Sequence, residues 1–156
     1  MTDFTIGTKA PDFTLGDFTL SKTLQKGPIL LTFYKKTCPT CQFTYPFFER
    51  IHQHYTGSNF QVIGIGQDPE TDEFSTKYGV TFPMISDTPS YDVSKKYHLV
   101  YVPTAFLITP DQNITYVSAG FSKEDLLNLT KQLSQQTKKN LLDPFKEVTV
   151  PNFKAG

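Results

Sequence analysis

The only two cysteines of the chain stand at Cys38-Pro39-Thr40-Cys41, a spacing that can close a small disulfide or set two thiolates on one metal. A structural zinc site needs four ligands, and the three histidines are badly placed to complete one. His52 and His54 lie two apart on a predicted helix, so their side chains diverge by about 200°. His98 stands alone before an apolar run. No metal is therefore expected. Two cysteines serving only as small buried hydrophobes would not need this spacing. The remaining chemistry is thiol–disulfide exchange, in which a thiolate attacks a disulfide sulfur and a second thiol resolves the mixed disulfide. It requires the first cysteine to ionise below its ordinary value of about 8.5. Cys38 stands where a helix would begin, facing free backbone N–H groups and the positive end of the dipole, with Lys35 and Lys36 adjacent. Cys41, one turn further in, is placed to be buried and to resolve.

The elements that position this pair follow from periodicity. The apolar run at 28–34 predicts a central strand covered on both faces. Beyond it Pro39 suits a first helical turn, and Phe43, Phe47, Ile51 and Tyr55 recur every four residues. Pro46 should kink that helix by removing one backbone bond. The cysteine pair thus falls at the C-terminal end of a central strand, the edge where open α/β sheets carry their chemistry. Residues 13–15 and 18–20 flank Gly16-Asp17 as a short hairpin, with Ser21 as N-cap of a brief helix. Residues 60–66 predict a further buried strand, and Asp68-Pro69-Glu70 a helix that ends at Tyr78-Gly79 with the glycine as cap. Residues 82–85 read as extended and 91–97 as a short helix. Two strands at 105–108 and 114–117 are joined by the turn-rich 109–113. Ser122 caps a last helix with Leu126, Leu127, Leu129 and Leu133 on its buried side. From about Gln135 the pattern fades into a polar tail with one more turn at Leu141-Leu142. Strand-like runs alternating with amphipathic stretches define the α/β class.

At 156 residues the chain fits one domain, read as 1–136 with a tail at 137–156 that packs on it or extends from it. Fifteen basic and fifteen acidic residues cancel, which removes the electrostatic footprint of a nucleic-acid or anionic-membrane partner. Two cysteines are too few for the disulfide scaffold of a small secreted domain. No run approaches the roughly 20 apolar residues of a membrane span, and Met1-Thr2-Asp3-Phe4 lacks the basic start and apolar core of a signal peptide. The expectation is a soluble cytoplasmic monomer. A sequence trimmed of an export signal or anchor would instead belong to a periplasmic or other extracytoplasmic protein.

Five features stand in a familiar order: Ala10-Pro11-Asp12-Phe13-Thr14-Leu15; Leu31-Thr32-Phe33-Tyr34 leading to Cys38-Pro39-Thr40-Cys41; Pro46; Val102-Pro103-Thr104-Ala105-Phe106; and Gly120. On these the chain resembles the thioredoxin superfamily, in its TlpA-like/redoxin (AhpC/TSA-related) branch, from about Ala10 to Leu133. The resemblance implies a thioredoxin-like fold: a central mixed β-sheet flanked by helices, with an N-terminal β-hairpin and an inserted αβ element at 68–97. It also implies a protein-disulfide oxidoreductase, with Cys38 as nucleophile, Cys41 as resolving thiol, and Pro39 and Thr40 as support. Pro103 would be cis beside them, and Val102 would meet substrate through its backbone. Each of the other ten prolines reads as an ordinary turn or helix-start residue. An apolar face is expected around Cys38, with Tyr34, Phe82 and Val102 as its substrate-binding candidates. No cofactor is implied beyond a redox-active Cys38–Cys41 disulfide. The partners would be protein disulfide or dithiol substrates and an upstream thiol reductant or oxidant.

The chain departs from that family's pattern. Thr37 stands where a tryptophan usually precedes the first cysteine, and the chain has no tryptophan. Thr32 aligns with thioredoxin's buried acid and Thr44 with a carboxylate of some TlpA-like proteins, so neither offers a base to Cys41. Two other functions compete. A peroxidase of the peroxiredoxin type would want threonine three before its reactive cysteine and proline seven before. Cys38 has Lys35 and Leu31 there, and Cys41 has Cys38 and Tyr34. The sole arginine, Arg50, lies about three turns along the helix from Cys38. A non-catalytic redox sensor or binding module would use the fourteen Phe and eight Tyr, or the tail from 144 to 153, as a docking surface. A packed core accounts for the aromatics equally well.

Overall fold

A computed structural model describes residues 3–156; Met1 and Thr2, which open the stretch read for an export signal, lie outside the described residues. Gly16-Asp17 turns the chain between β1 (Thr14–Leu15) and β2 (Phe18–Thr19), an antiparallel pair. Helix α1 (Leu20–Leu24) follows at once. It starts ahead of the cap expected at Ser21: Thr19 precedes it without capping it, its hydroxyl bonded to that of Thr14, and Asp12 Oδ1 accepts the Ser21 N–H at 2.9 Å. β3 (Ile29–Tyr34) is buried at every position, as a strand covered on both faces must be. α2 (Pro39–Tyr55) opens with proline at its first position, where no N–H is needed, and Pro46 lies within it. Tyr45, Phe47, Phe48, Ile51 and Tyr55 form its buried side, while Phe43 is half-buried.

β4 (Gln61–Gly66) runs parallel to β3, pairing Ile29 with Gln61 and Tyr34 with Gly66. α3 (Asp72–Tyr78) begins four residues later than Asp68. The reason is local: Asp68 Oδ2 accepts the Lys36 N–H, and the Glu70 carboxylate accepts the N–H of Glu73 instead. Gly79 closes the helix at φ 67°, a left-handed position that glycine adopts without a Cβ penalty. β5 (Met84–Ser86) and α4 (Asp92–Lys96) complete the expected insertion before β6 (Thr104–Ile108) and β7 (Ile114–Ala119). The sheet order is β5-β4-β3-β6-β7; β5 is parallel to β4, β6 antiparallel to β3, and β7 antiparallel to β6. This is the mixed sheet with hairpin and αβ insertion that the resemblance implies.

After β8 (Phe121–Ser122), α5 (Lys123–Thr137) is capped as expected, with Ser122 Oγ accepting the Asp125 N–H at 3.1 Å. Glu124 and Asp125 in its first turn favour the dipole. Leu126, Leu129 and Leu133 are buried; Leu127 is half-buried. The turn expected at Leu141-Leu142 does not form, because the Leu142 N–H is taken by the Tyr55 hydroxyl at 3.1 Å. The chain turns at 144–147 instead, and Phe145 packs on Phe47 and Phe121. A last strand, β9 (Phe153–Lys154), pairs antiparallel with β8. The core is aromatic at its centre, where Phe33 meets Tyr97 and Phe106, all of them inaccessible. Burying each such ring stabilises the fold by about 1.5–3 kcal/mol.

Candidate active site

The loop between β3 and α2 is pinned from both sides. Asp68 Oδ2 accepts the Lys36 N–H at 2.6 Å, and Gln42 Nε2 donates to the Lys36 carbonyl at 2.8 Å. The Cys38 N–H closes a turn on the Lys35 carbonyl at 3.1 Å. This delivers Cys38 as the N-cap of a 17-residue helix. The free N–H groups of the first turn then face its sulfur.

The two thiols sit in opposite environments. Cys38 is half-buried, and its Sγ accepts the Cys41 backbone N–H at 3.1 Å. Hydrogen bonds from the Cys41 thiol and from the backbone of Cys41 and Thr40 outweigh burial and hold Cys38 down at about 6. Cys41 is wholly enclosed, and burial pushes its thiol up, with the bond to Cys38 adding to the rise and a backbone bond at Lys35 opposing it. The lysines do not sit on the sulfur: Lys35 is exposed, and Lys36 Nζ reaches Glu73 at 3.5 Å.

Opposite Cys38 the Val102–Pro103 peptide is cis, and the Cys38 thiol lies 3.4 Å from the Val102 carbonyl oxygen. An opening of about 260 Å³ beside the sulfur is lined by Pro39, Gln67, Val100, Tyr101, Val102 and Gly156. Val102 therefore stands at the mouth. Tyr34 and Phe82 do not: Tyr34 packs among Tyr45 and Phe74, Phe82 packs on Tyr45, and both are core residues. Their strand-end positions suggested proximity to Cys38, but each points into the sheet-helix interface. The apolar groups that do face outward there are Val100 and Tyr101, 73% and 41% exposed. The run Val100-Tyr101-Val102 before proline carried that signal. Thr88–Pro89 is a second cis peptide, at a proline read as ordinary.

The threonines at the family's acid positions are engaged elsewhere. Thr32 Oγ1 accepts the Tyr45 hydroxyl at 3.2 Å, and Thr44 Oγ1 donates to the Thr40 carbonyl at 2.6 Å. Tyr34 and Tyr45 lie near Cys41, and burial first, with Cys41 adding to it, pushes both phenols up. Arg50 is turned away from the thiols, donating to the carbonyls of Pro144 and Lys146 with its guanidinium over the Phe47 ring. His98 pairs with Asp3 at 2.6 Å and His54 with the Asn140 carbonyl. Among the described residues no three His, Cys, Asp or Glu side chains gather as metal ligands. No helix among them is long and apolar enough to cross a membrane.

Sequence reasoning missed the tail at this site. Thr40 Oγ1 donates to the Ala155 carbonyl at 2.5 Å, and Gly156 lines the opening beside Cys38. A two-residue strand and small residues give no periodic signal, so only the fold reveals them.

Comparison with known proteins agrees with this geometry. The family model for the AhpC/TSA family matches residues 6–117. The thiol-disulfide oxidoreductase ResA of Bacillus subtilis is 29% identical over 142 residues, covering 80% of this chain and 75% of that one. A proposed protein disulfide isomerase from Bacteroides thetaiotaomicron superposes with TM-score 0.78 at 28% identity, covering 88% of this chain and 93% of that one. A proposed thiol:disulfide interchange protein, DsbE, from Chlorobium tepidum gives 0.75 at 25% identity, covering 86% and 99%.

Proposed function

The chain belongs to the AhpC/TSA family, and from that premise and its paired thiols we propose that it is a thiol–disulfide oxidoreductase acting on protein disulfides. The observation that carries this is the asymmetry of the pair: an accessible Cys38 held as thiolate near neutrality, with buried Cys41 bonded directly behind it. Its named relatives are thiol-disulfide oxidoreductases.

In the proposed cycle the Cys38 thiolate attacks one sulfur of a substrate disulfide. A Cys38–substrate disulfide forms and the other substrate sulfur leaves as thiolate. Cys38 is then uncharged, so the hydrogen bond that held the Cys41 proton is lost. Cys41 gives that proton to the departing thiolate or to water at the mouth, and attacks Cys38 Sγ. The Cys38–Cys41 disulfide closes, the second substrate thiolate leaves, and the substrate has gained two electrons. An external dithiol resets the pair. No further cofactor enters. The peroxidase alternative lacks its cation, since Arg50 is committed to the tail.

Insulin reduction with dithiothreitol as electron donor tests the proposal. Turnover should vanish in Cys38→Ser, and Cys41→Ala should accumulate the mixed disulfide. A Cys38→Ser variant that turns over like the wild type sinks it.

A further inference from the structure

The segment that follows buried Val150 crosses the face on which Cys38 opens. Its first half pairs with the chain at the start of α5: the Asn152 carbonyl accepts the Lys123 N–H at 2.9 Å, and the two residues of β9 pair with the two of β8. Lys154 Nζ rests over the Phe43 ring at 5.2 Å. Its second half touches three backbone segments around the thiol. The Ala155 carbonyl takes the Thr40 hydroxyl from the C-x-x-C turn. A Cβ at Gly120 would stand 2.5 Å from the Lys154 carbonyl oxygen, and one at Gly156 2.4 Å from the Val102 carbonyl oxygen. The main chain of 154–156 thus lies in contact with the turn, the glycine after β7 and the residue before the cis proline.

These contacts have a common character. On the side of residues 155–156 they are made by main chain, as when an extended segment lies along another stretch of backbone. The Phe153 side chain is 59% exposed. Few bonds and little apolar burial hold the last residues, the profile of a segment that opens locally at small cost. The opening left beside Cys38, about 260 Å³, is bordered by Gly156, which lies against the Val102 carbonyl.

We propose that the segment Phe153–Gly156 is the resting occupant of a strand-docking groove beside Cys38, and that an extended disulfide-bearing polypeptide enters only by displacing it. The strap discriminates by size: small disulfides reach Cys38 past it, and polypeptides bind in proportion to the fraction of molecules with the strap lifted. The polypeptide favoured carries small residues beside its cysteine, as Ala155 and Gly156 themselves are small where they meet Thr40 and Val102. This rests on the oxidoreductase reading for its substrate, but not for the strap itself.

The test uses the full chain carrying Phe153→Asp and Lys154→Asp, neither of which lines the opening, checked for unchanged melting. Aspartate is a poor strand former at both positions of β9, and the second change removes the Lys154 cation from the Phe43 ring. In the first measurement, Cys38 is alkylated by iodoacetamide and by a maleimide carrying a large polyethylene glycol. Loss of a few hydrogen bonds should raise the bulky rate by about fivefold or more and leave the small one within about twofold. Equal bulky rates in variant and wild type overturn the strap, whatever the turnover. In the second, insulin reduction should rise with the bulky rate while reduction of a small aromatic disulfide stays level; insulin turnover that stays flat while bulky labelling rises overturns the displacement. Failure of the oxidoreductase reading shows separately, as wild type reducing neither substrate.

Discussion

The backbone N–H of Cys41 is directed at the Cys38 sulfur over 3.1 Å, and this relation between two residues three apart divides the labour of the pair. A helix N-terminus can satisfy only what lies at its mouth, so the cap sulfur gains charge stabilisation that the sulfur one turn deeper cannot share. At Cys41 burial dominates instead.

A first consequence is a pH profile. Alkylation of the reduced protein by iodoacetamide should rise with a midpoint near 6 and modify Cys38 alone. Mass spectrometry of the product checks the site, and a midpoint near 9 would refute the assignment of the thiolate.

Stability of the reduced form should follow the same groups. The folded value of Cys38 is depressed from 9.0 to about 6, so its contribution is present in full above about 9 and is lost as pH falls toward 6. Cys41 is shifted upward from 9.0, so its contribution is complete below that value and declines as pH rises beyond it. Reduced protein should therefore gain stability from pH 6 to 9 and lose it again above. The Cys38→Ser variant should be flat over the lower window in urea titrations.

Thr32 gives a stability test of the missing acid. Its Oγ1 accepts the hydroxyl of fully enclosed Tyr45. Thr32→Val keeps the shape and strands that phenol, an outcome that costs about 1–3 kcal/mol. The loss should be smaller in Thr32→Val/Tyr45→Phe, where both partners are gone.

Much of this was readable in advance because it is periodic. The all-apolar β3 announced a central strand, and the four-residue recurrence from Phe43 to Tyr55 announced α2. The cysteine pair and the Ser122 cap are residues whose type and place suggest their role, whereas the cis Pro103 followed from the family resemblance. Phe82 and Tyr34 were misjudged because proximity along the chain does not fix which way a strand-end side chain points. Asp68 was misjudged because its carboxylate serves the Lys36 N–H from across the sheet edge, a partner 32 positions away. The tail's approach to Cys38 was opaque for a third reason: residues 155–156 contribute main chain there, and composition does not encode main-chain bonds.

Arg50 tests what the tail's anchor is for. Its guanidinium donates to the Pro144 and Lys146 carbonyls, so Arg50→Ala should lower stability by about 1 kcal/mol. Peroxide consumption should be low in the wild type and unchanged in the variant. A large loss of peroxide turnover in Arg50→Ala would revive the peroxidase.

Gly66 and Tyr34 face each other across β3 and β4. A Cβ at position 66 would stand 2.8 Å from the Tyr34 hydroxyl oxygen and 2.9 Å from the ring carbon that bears it. That hydroxyl is buried with no hydrogen-bond partner among the described residues. Tyr34→Phe should therefore be neutral or stabilising by up to about 1 kcal/mol, since it removes a desolvated polar atom that gains nothing. Gly66→Ala should cost about 1–3 kcal/mol through overpacking. In the double variant the loss should shrink without disappearing, because the ring carbon still crowds the new methyl group. Strictly additive losses in a double-mutant cycle would mean that the two sites do not share this contact. Insulin reduction by Tyr34→Phe should match wild type, since the phenol is core and not part of the mouth beside Cys38.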